Sequence, residues 1–253
     1  MTIRIERHEA QAVSRLTLER ADRGNSLSAQ VVAELAAALD TSYRDGTRLL
    51  LIDAAGPNFC TGFDLSSLDD EDDDSLLARF VRIELLLQRI YRAPFVTVAL
   101  AQGKAWGAGA DLFAACSQRW VGDDTSFAFP GAAFGLVLGT GRLAARVGPE
   151  RAEEWVTCGT RVDAATARAA GLATRRFSGP AQAEVAAALA LAQSVSRVDG
   201  ATLAALRNAV GPRGPRDDAA DLARLVASAA RPGLRERIRA YRAASARKSS
   251  PAS

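Results

Sequence analysis

Two apolar segments without a charged side chain constrain the fold of this chain most strongly. One is Leu-Leu-Leu-Ile at 49–52, and the other is Phe-Val-Thr-Val-Ala-Leu-Ala at 95–101. An uninterrupted apolar run of this length between turn residues predicts a buried strand. Each run leads through a glycine-containing turn to a segment with helical spacing of its apolar residues. Strands that feed helices through tight glycine turns indicate an α/β architecture.

The other periodic segments divide the chain into a core and a helical end. Ser28 precedes an amphipathic pattern and predicts the start of a helix. The second half of the chain is mainly helical in pattern, and a Gly-Pro-rich segment at 211–215 interrupts it. We therefore predict a core domain over residues 1–195, a C-terminal helical region over 196–248 and a disordered tail over 249–253.

Composition excludes several classes of function. Hydrophobic residues make up 48% of the 253 residues and charged residues 24%, which suits one large core inside a soluble surface. The formal charge of +3 is too small to indicate a nucleic-acid partner. No apolar run reaches the roughly 18 residues that a membrane span needs. We therefore expect a cytoplasmic protein with neither a nucleic-acid nor a membrane partner.

Cysteine and histidine usage limits the chemistry further. The three cysteines are too scattered for a disulfide framework or a metal cluster, so we expect no metal site. The single histidine, His8, lies among charged residues, and we expect it at the surface. Serine–histidine and cysteine–histidine catalysis both need an imidazole beside the nucleophile, so neither is expected.

Two glycine-containing turns carry the functional signal. The first is Phe-Cys-Thr-Gly-Phe-Asp-Leu at 59–65, and the second spans 103–112 and contains three glycines. Neither is a phosphate loop, because the second lacks both a Gly-Lys-Ser/Thr ending and the glycine spacing of a dinucleotide site. What remains is a set of free backbone N–H groups at a turn and at a helix start, where negative charge is favoured. Taken singly, such glycines also fit a purely structural role in tight turns.

Together the two turns resemble the crotonase (enoyl-CoA hydratase/isomerase) superfamily, and the likeness extends from residue 25 to about residue 177. The resemblance implies a crotonase-like spiral of strand–strand–helix (ββα) units with a helical C-terminal trimerisation region. It also implies a homotrimer, or a hexamer built as a dimer of trimers. The further segments that agree with the family, in order, are 119–129, 134–136, 142–148 and 159–173.

The resemblance implies an enzyme that binds an acyl-CoA thioester and stabilises an enolate-like intermediate. A thioester oxygen that gains negative charge needs preorganised donors, and two backbone amides can supply them. By their places in the family motifs, these amides belong to Phe63 and Ala108. Coenzyme A enters as part of the substrate, and no separate cofactor is implied. The residues implied to contact the substrate are Gly62, Asp64, Gly107, Gly109 and Gly131.

Two positions depart from the hydratases of the superfamily, which hold a water between two glutamates. Asp111 stands at the first position, and Gly131 stands at the second, where it offers no proton acceptor. Asp111 is therefore the predicted catalytic residue, although an acidic residue in a first helical turn also fits a capping role. One carboxylate suits double-bond isomerisation better than water addition. Glu84, on the preceding predicted helix, is a further acidic candidate, although we expect it to be solvated.

A changed pocket wall keeps a second class of function open. The segment 135–143 is shorter than the family version, which implies either an altered substrate or lost activity. The alternative to an isomerase-like enzyme is a non-catalytic acyl-CoA-binding or scaffold homologue. A hydrolase or dehalogenase would need a nucleophile that the sequence does not identify.

Two charged runs are expected to lie in solvent. The acidic run 69–74 packs six like charges together, which predicts a mobile solvated loop. The C-terminal arginines predict a solvated helix face, with contact to coenzyme A phosphates as the alternative. These basic residues are Arg231, Arg235, Arg237, Arg239, Arg242, Arg247 and Lys248.

Overall fold

The computed structural model describes residues 2–210 and 214–249, and its strands form two sheets. In chain order the strands are β1 (Ile3–His8), β2 (Val13–Leu18), β3 (Leu49–Ala54), β4 (Val96–Ala101), β5 (Lys104–Trp106), β6 (Gln118–Gly122), β7 (Ser126–Ala128), β8 (Val162–Asp163) and β9 (Arg175–Phe177). The large sheet has the order β1-β2-β3-β4-β6-β9, and the small sheet has the order β5-β7-β8. In the large sheet only β1 pairs antiparallel with its neighbour.

The helices begin where local sequence signals place them. In chain order they are α1 (Ala29–Ser42), α2 (Asp73–Tyr91), α3 (Ala108–Ala115), α4 (Thr140–Val147), α5 (Pro149–Thr157), α6 (Ala164–Ala169), α7 (Val185–Val195), α8 (Gly200–Val210), α9 (Pro215–Ala229) and α10 (Leu234–Ser249). The Ser28 hydroxyl accepts the amide of Val31 at the start of α1. The Asp163 carboxylate likewise accepts the amide of Thr166 in α6. Both side chains satisfy amides that a helix start leaves unpaired.

The apolar runs form the two central strands because both faces of the large sheet are covered. Successive residues of a strand point to opposite faces. Leu50 and Ile52 of β3 belong to the core cluster that includes α1, α2 and α3. Leu49 and Leu51 belong to a second cluster, which α7 completes on the other face. The lack of alternation in this strand is therefore explained by burial on both sides.

The chain repeats a strand–strand–helix arrangement across the two sheets. β4 lies in the large sheet, β5 lies in the small sheet, and α3 follows. The preceding unit has the same form, because Cys60 bridges to Ala105 of β5 after β3 and before α2. This arrangement confirms the predicted α/β class with ββα units.

Helices α9 and α10 fold back onto α2. Leu76 and Phe80 of α2 share a buried cluster with Leu225 of α9 and with Leu234 and Ile238 of α10. The predicted boundary at residue 195 remains a prediction. Of the predicted disordered tail, residues 250–253 lie outside the described part of the chain. In the described ranges, no helix combines the length and the apolar character that a membrane crossing requires.

The acidic run is helical at both ends, so the prediction of a loop was wrong, although Asp69, Asp70, Asp72 and Asp74 are exposed as predicted. Asp72 caps α2 in a reciprocal arrangement with Ser75. The Asp73 carboxylate accepts the amides of Gly233, Leu234 and Arg235 at 2.8, 3.1 and 2.8 Å. A carboxylate at a helix start neutralises unpaired N–H groups and opposes the positive end of the helix dipole. The run therefore fastens α10 to the core.

Part of the arginine-rich face of α10 pairs with this acidic run and stays partly exposed to solvent as predicted, since the Arg239 and Asp69 side chains are 41% and 75% exposed. Arg239 forms an ion pair with Asp69 at 2.7 Å. The Arg235 guanidinium donates to the carbonyl oxygen of Glu71 at 3.0 Å. Opposite charges that are remote in sequence therefore meet in the fold, although exposed pairs of this kind each contribute little free energy.

Candidate active site

An apolar cavity of about 290 Å³ lies beside the two glycine turns. Phe63, Phe80 and Phe134 stand in its wall, and the rings of Phe63 and Phe80 stack with centroids 4.3 Å apart. Among the described residues that line it, Asp111 is the only acidic one. An apolar pocket with a few polar groups is the usual form of a small-molecule site. His8 ends β1 and does not line it.

The two glycine turns lie directly against each other. Gly62 has a φ of +102°, and a Cβ there would stand 2.8 Å from the Trp106 carbonyl oxygen and 3.5 Å from the Ala108 nitrogen. Only glycine tolerates this conformation and this approach. The amide of Trp106 donates to the Cys60 carbonyl at 2.9 Å, and the amide of Leu27 donates to the Gly62 carbonyl at 2.7 Å. The structure thus brings together the two turns that the sequence singles out.

The amides of Phe63 and Ala108 lie at this contact, and no hydrogen bond from either one is found among the described residues. Ala108 is the first residue of α3, and Gly107 before it has a φ of +52° and supplies no side-chain cap. Within residues 2–210 and 214–249, neither amide donates to an acceptor of the chain. Both residues line the cavity. An anionic oxygen at this point would meet two free donors and the positive end of a helix.

Asp111 lies one turn into α3, where its amide donates to the Gly107 carbonyl at 3.0 Å. Its side chain is only 5% exposed, although it lines the cavity. Burial raises the pKa of Asp111 to about 8; Arg142 acts against this shift and Glu84 adds to it. In the described part of the chain no amide or side chain donates to the carboxyl, so its interpretation as a helix cap was wrong.

Glu84 is buried, so the prediction that it is solvated was wrong. Its carboxylate receives both terminal nitrogens of Arg142, at 2.8 and 2.5 Å, and each side chain is 1% exposed. Gln88 donates to the same carboxylate at 2.8 Å. The sequence pattern missed this pair because its members lie on α2 and α4, 58 residues apart.

A match to a protein-family model identifies the family of this chain. The model described as enoyl-CoA hydratase/isomerase matches residues 8–220. The chain belongs to the enoyl-CoA hydratase/isomerase family. The match confirms the predicted superfamily. The α/β fold of the chain is also the fold of a solved relative.

Individual relatives agree with this assignment. A crystal structure named as an enoyl-CoA hydratase/isomerase of Bordetella parapertussis has a TM-score of 0.89 and 40% identity, and the match covers 96% of this chain and 99% of that one. A Mycobacterium bovis protein named as enoyl-CoA hydratase echA6 is 32% identical over 171 residues, which are 66% of this chain and 68% of the relative. An ethylmalonyl-CoA decarboxylase of Gallus gallus is 30% identical over 178 residues, 67% of this chain and 59% of the decarboxylase.

The glycines expected to contact substrate in this family are divided between two places. Gly62, Gly107 and Gly131 line the cavity, whereas Gly109 is not among its described lining residues. A Cβ on Gly109 would stand 2.3 Å from the Cys60 carbonyl oxygen. Gly109 therefore lets the start of α3 pack against the first turn. This packing supports the backbone that carries the amides of Phe63 and Ala108.

Asp64, the other residue expected to contact substrate, supports the first turn and does not line the cavity among the described residues. It forms an ion pair with Arg20 at 2.8 Å and accepts the Ser66 amide at 2.9 Å. Burial opposes its ionisation, but these two partners keep the pKa of Asp64 below its ordinary value. Asp64 is thus held as an anion.

The segment 135–143 forms part of the wall beside Asp111. Leu136, Leu138 and Thr140 line the cavity. Gly139 has a φ of +70°, and a Cβ there would overlap the Asp111 Oδ1 at 2.0 Å. The backbone therefore lies in direct contact with the carboxyl. Gly131 also lines the cavity, and it has no side chain that could accept a proton there.

Helix α10 contributes to the cavity wall, which the sequence pattern did not predict. Four of its residues line the cavity: Ile238, Tyr241, Arg242 and Ser245. The alternative expectation for the arginines was contact with coenzyme A phosphates, and Arg242 alone among them lines this cavity in the described residues. The opposite charges of the run 69–74 and of α10 were the available signal for their pairing.

Proposed function

We propose that this chain is an acyl-CoA enzyme that stabilises an enolate with the amides of Phe63 and Ala108 and moves protons with Asp111 alone. The observation that carries the proposal is the pair of unpartnered amides beside an apolar cavity with one carboxyl among its described lining residues. Preorganised donors in a water-poor site stabilise developing negative charge without reorganisation. Coenzyme A is part of the substrate in this proposal, and no further cofactor takes part.

Double-bond isomerisation is the reaction that this set of groups fits first. Ionised Asp111 takes a proton from the α-carbon of a 3-enoyl-CoA, and the electron pair moves into a dienolate whose oxygen the two amides hold. Asp111 then returns the proton to the γ-carbon, which leaves a 2-enoyl-CoA. Water addition needs a second group to activate the water, and Gly131 has no side chain to do so.

Decarboxylation is the second candidate, and the burial of Asp111 favours it. A carboxyl with a pKa of about 8 is mainly protonated at neutral pH. In a 2-carboxyacyl-CoA, the bond from the α-carbon to the carboxylate breaks, carbon dioxide leaves, and the electron pair forms the enolate. Asp111 donates its proton to the α-carbon and regains one from water. The similarity to an ethylmalonyl-CoA decarboxylase supports this candidate.

The direction of the pH profile distinguishes the two reactions. If Asp111 acts first as a base, kcat/KM for a 3-enoyl-CoA increases about tenfold per pH unit and levels off above pH 8. If Asp111 acts as the acid, kcat/KM for ethylmalonyl-CoA is level below pH 8 and decreases above it. A flat profile for both substrates would remove Asp111 from the chemistry.

The Asp111→Asn variant tests the shared step. We expect turnover to fall by about two to four orders of magnitude, because the amide neither accepts nor donates a catalytic proton. Its melting temperature at pH 9 should not fall, because asparagine removes a charge that burial disfavours. Asp123→Asn is the control, since Asp123 pairs with Arg176 on the surface and should leave turnover unchanged.

A non-catalytic acyl-CoA binder is the alternative that a thermal-shift assay separates from an enzyme. A CoA ester that binds only the native state raises the melting temperature, whether or not it reacts. Stabilisation without conversion of any 3-enoyl-CoA, 2-enoyl-CoA or 2-carboxyacyl-CoA would favour the binder. We further propose a cytoplasmic homotrimer or dimer of trimers, which light scattering of the purified chain tests for its oligomeric part.

A further inference from the structure

The buried pair of Glu84 and Arg142 has no part in the chemistry proposed above. Neither residue is among the described residues that line the cavity, yet both are almost fully buried. Removing two charges from water is costly, and well-packed apolar residues in place of such a pair are often at least as stable. Stability alone is therefore a weak explanation for the pair.

The pair is connected to Asp111 through the backbone of α4. Gly139 precedes α4 and contacts the Asp111 carboxyl, and Arg142 follows three residues later. The charged groups that act on the Asp111 carboxyl are Arg142 of α4 and Glu84 of α2, with opposite signs. Asp221 of α9 also faces Arg142, and it is itself paired with Arg224 at 2.6 Å.

Glu84 supplies the only direct acidic partner of the Arg142 guanidinium among the residues described. Both terminal nitrogens bind the Glu84 carboxylate, and the Arg142 Nε has no hydrogen-bond partner in the described ranges. Removal of the Glu84 charge would leave a buried cation on α4, three residues after Gly139, whose backbone contacts the Asp111 carboxyl. An opposite charge at short range favours the ionised form of a carboxyl.

We propose that Glu84 and Arg142 are positioning residues that set the charge of Asp111. Glu84 neutralises Arg142, so the Asp111 carboxyl meets no unpaired cation and keeps its proton in the empty site. Arg142 in turn holds the start of α4, and with it Gly139, against that carboxyl. The effect of this pair on catalysis rests on the proposed function, whereas its effect on the charge of Asp111 can be measured without substrate.

The test measures the pKa of Asp111 in the full-length protein without ligand. Aspartate carboxyl carbons are labelled with ¹³C and titrated by NMR, and the Asp111→Asn variant assigns the resonance. In Glu84→Gln, which keeps the shape and loses the charge, we expect the pKa to fall from about 8 to about 7 or below. In the double variant Glu84→Gln with Arg142→Met, we expect the pKa to return to about 8.

A purely structural pair would give a different result. Loss of the pair would then admit water, and the pKa of Asp111 would fall in every variant, the double variant included. A fall in the double variant, or no change in Glu84→Gln, overturns the proposal. If Glu84→Gln does not fold, Arg142→Met decides, because the remaining negative charge should keep the pKa of Asp111 at or above about 8.

A second buried pair provides the matched control. Arg15 of β2 and Asp53 of β3 lie 2.6 Å apart, and their side chains are 5% and 3% exposed. Asp53→Asn should lower the melting temperature and leave the pKa of Asp111 unchanged. Absence of turnover with every CoA ester would contradict the proposed function and would leave these NMR results to judge the pair independently.

Discussion

The two sides of the cavity differ in what supplies their chemistry. On one side, the donor turns (residues 59–65 and 103–108) present backbone amides. On the other side, the carboxylate region (Glu84, Asp111 and residues 131–143) presents side chains whose charge depends on other side chains. A backbone amide offers the same N–H donor whatever side chain its residue carries, provided that the backbone conformation is kept. The donor turns therefore do not depend on neighbouring side chains for their chemistry, whereas the carboxylate region does.

Under the proposed function, enolate stabilisation and proton transfer can therefore change separately in this fold. In that proposal, the amides of Phe63 and Ala108 serve any thioester whose oxygen gains negative charge. Asp111 and Gly131 would determine which proton moves and whether a water is activated. A chain that keeps the first set and alters the second would retain the substrate class and change the reaction.

The largest effect of a change in the donor turns is expected for Gly62→Ala. A new Cβ would stand 2.8 Å from the Trp106 carbonyl oxygen at a φ of +102°, so the two turns must separate. We expect kcat/KM to fall by about 100- to 1,000-fold, the usual cost of one displaced oxyanion donor. Gly46→Ala is the control, because Gly46 has a φ of +77° with no atom within 4 Å of a new Cβ. Equal losses in both variants would mean that backbone strain, and not donor position, determines the result.

A smaller effect is expected where α10 is fastened to the core. Asp73→Ala removes the acceptor of three amides at the start of α10, and lost caps cost about 1 to 2 kcal/mol. Because α10 lines the cavity, we expect KM for a CoA ester to increase by up to about tenfold. Steady-state kinetics and thermal unfolding of the same samples measure both effects. Asp74→Ala, in the same acidic run, should change neither one, since within the described residues its side chain accepts no hydrogen bond.

The sequence predicted the features that depend on neighbouring residues. The buried strands β3 and β4, the cap of α1 by Ser28 and the two glycine turns each follow from local patterns. The sequence also predicted that the two turns act at one site, because their motifs resemble a known family. Gly62 illustrates why, since its contact with Trp106 and its positive φ both require glycine at that position.

The features that sequence did not predict depend on partners that are distant along the chain. Glu84 looks solvated on its own helix, and only the fold brings Arg142 to it from 58 residues away. In the sequence, Asp73 is one more negative charge in a run of like charges. In the fold, its carboxylate accepts hydrogen bonds from amides 160 to 162 residues further along the chain. The structural role of such a charge depends on its partner, so composition and spacing alone do not predict that role.

The smallest expected effect would restore the missing half of the carboxylate region. Gly131→Glu places a carboxylate at the second family position, and Gly131 has no left-handed φ that would oppose a side chain. A Cβ there would stand 3.3 Å from the Leu136 carbonyl oxygen, a contact that a small shift of the segment relieves. We expect hydration of a 2-enoyl-CoA to rise about threefold above that of the parent, well below the full contribution of a placed general base.

Gly131→Gln is the matched variant for this test, because it has the same length and no proton acceptor of comparable basicity. Hydration in the glutamate variant alone, with the isomerisation rate retained, would mean that the two sides of the cavity act independently. Equal hydration in both variants would mean that the side chain merely orders a water. Loss of isomerisation in the glutamate variant would mean that a second charge disturbs Asp111, because a nearby anion further raises the pKa of a buried carboxyl.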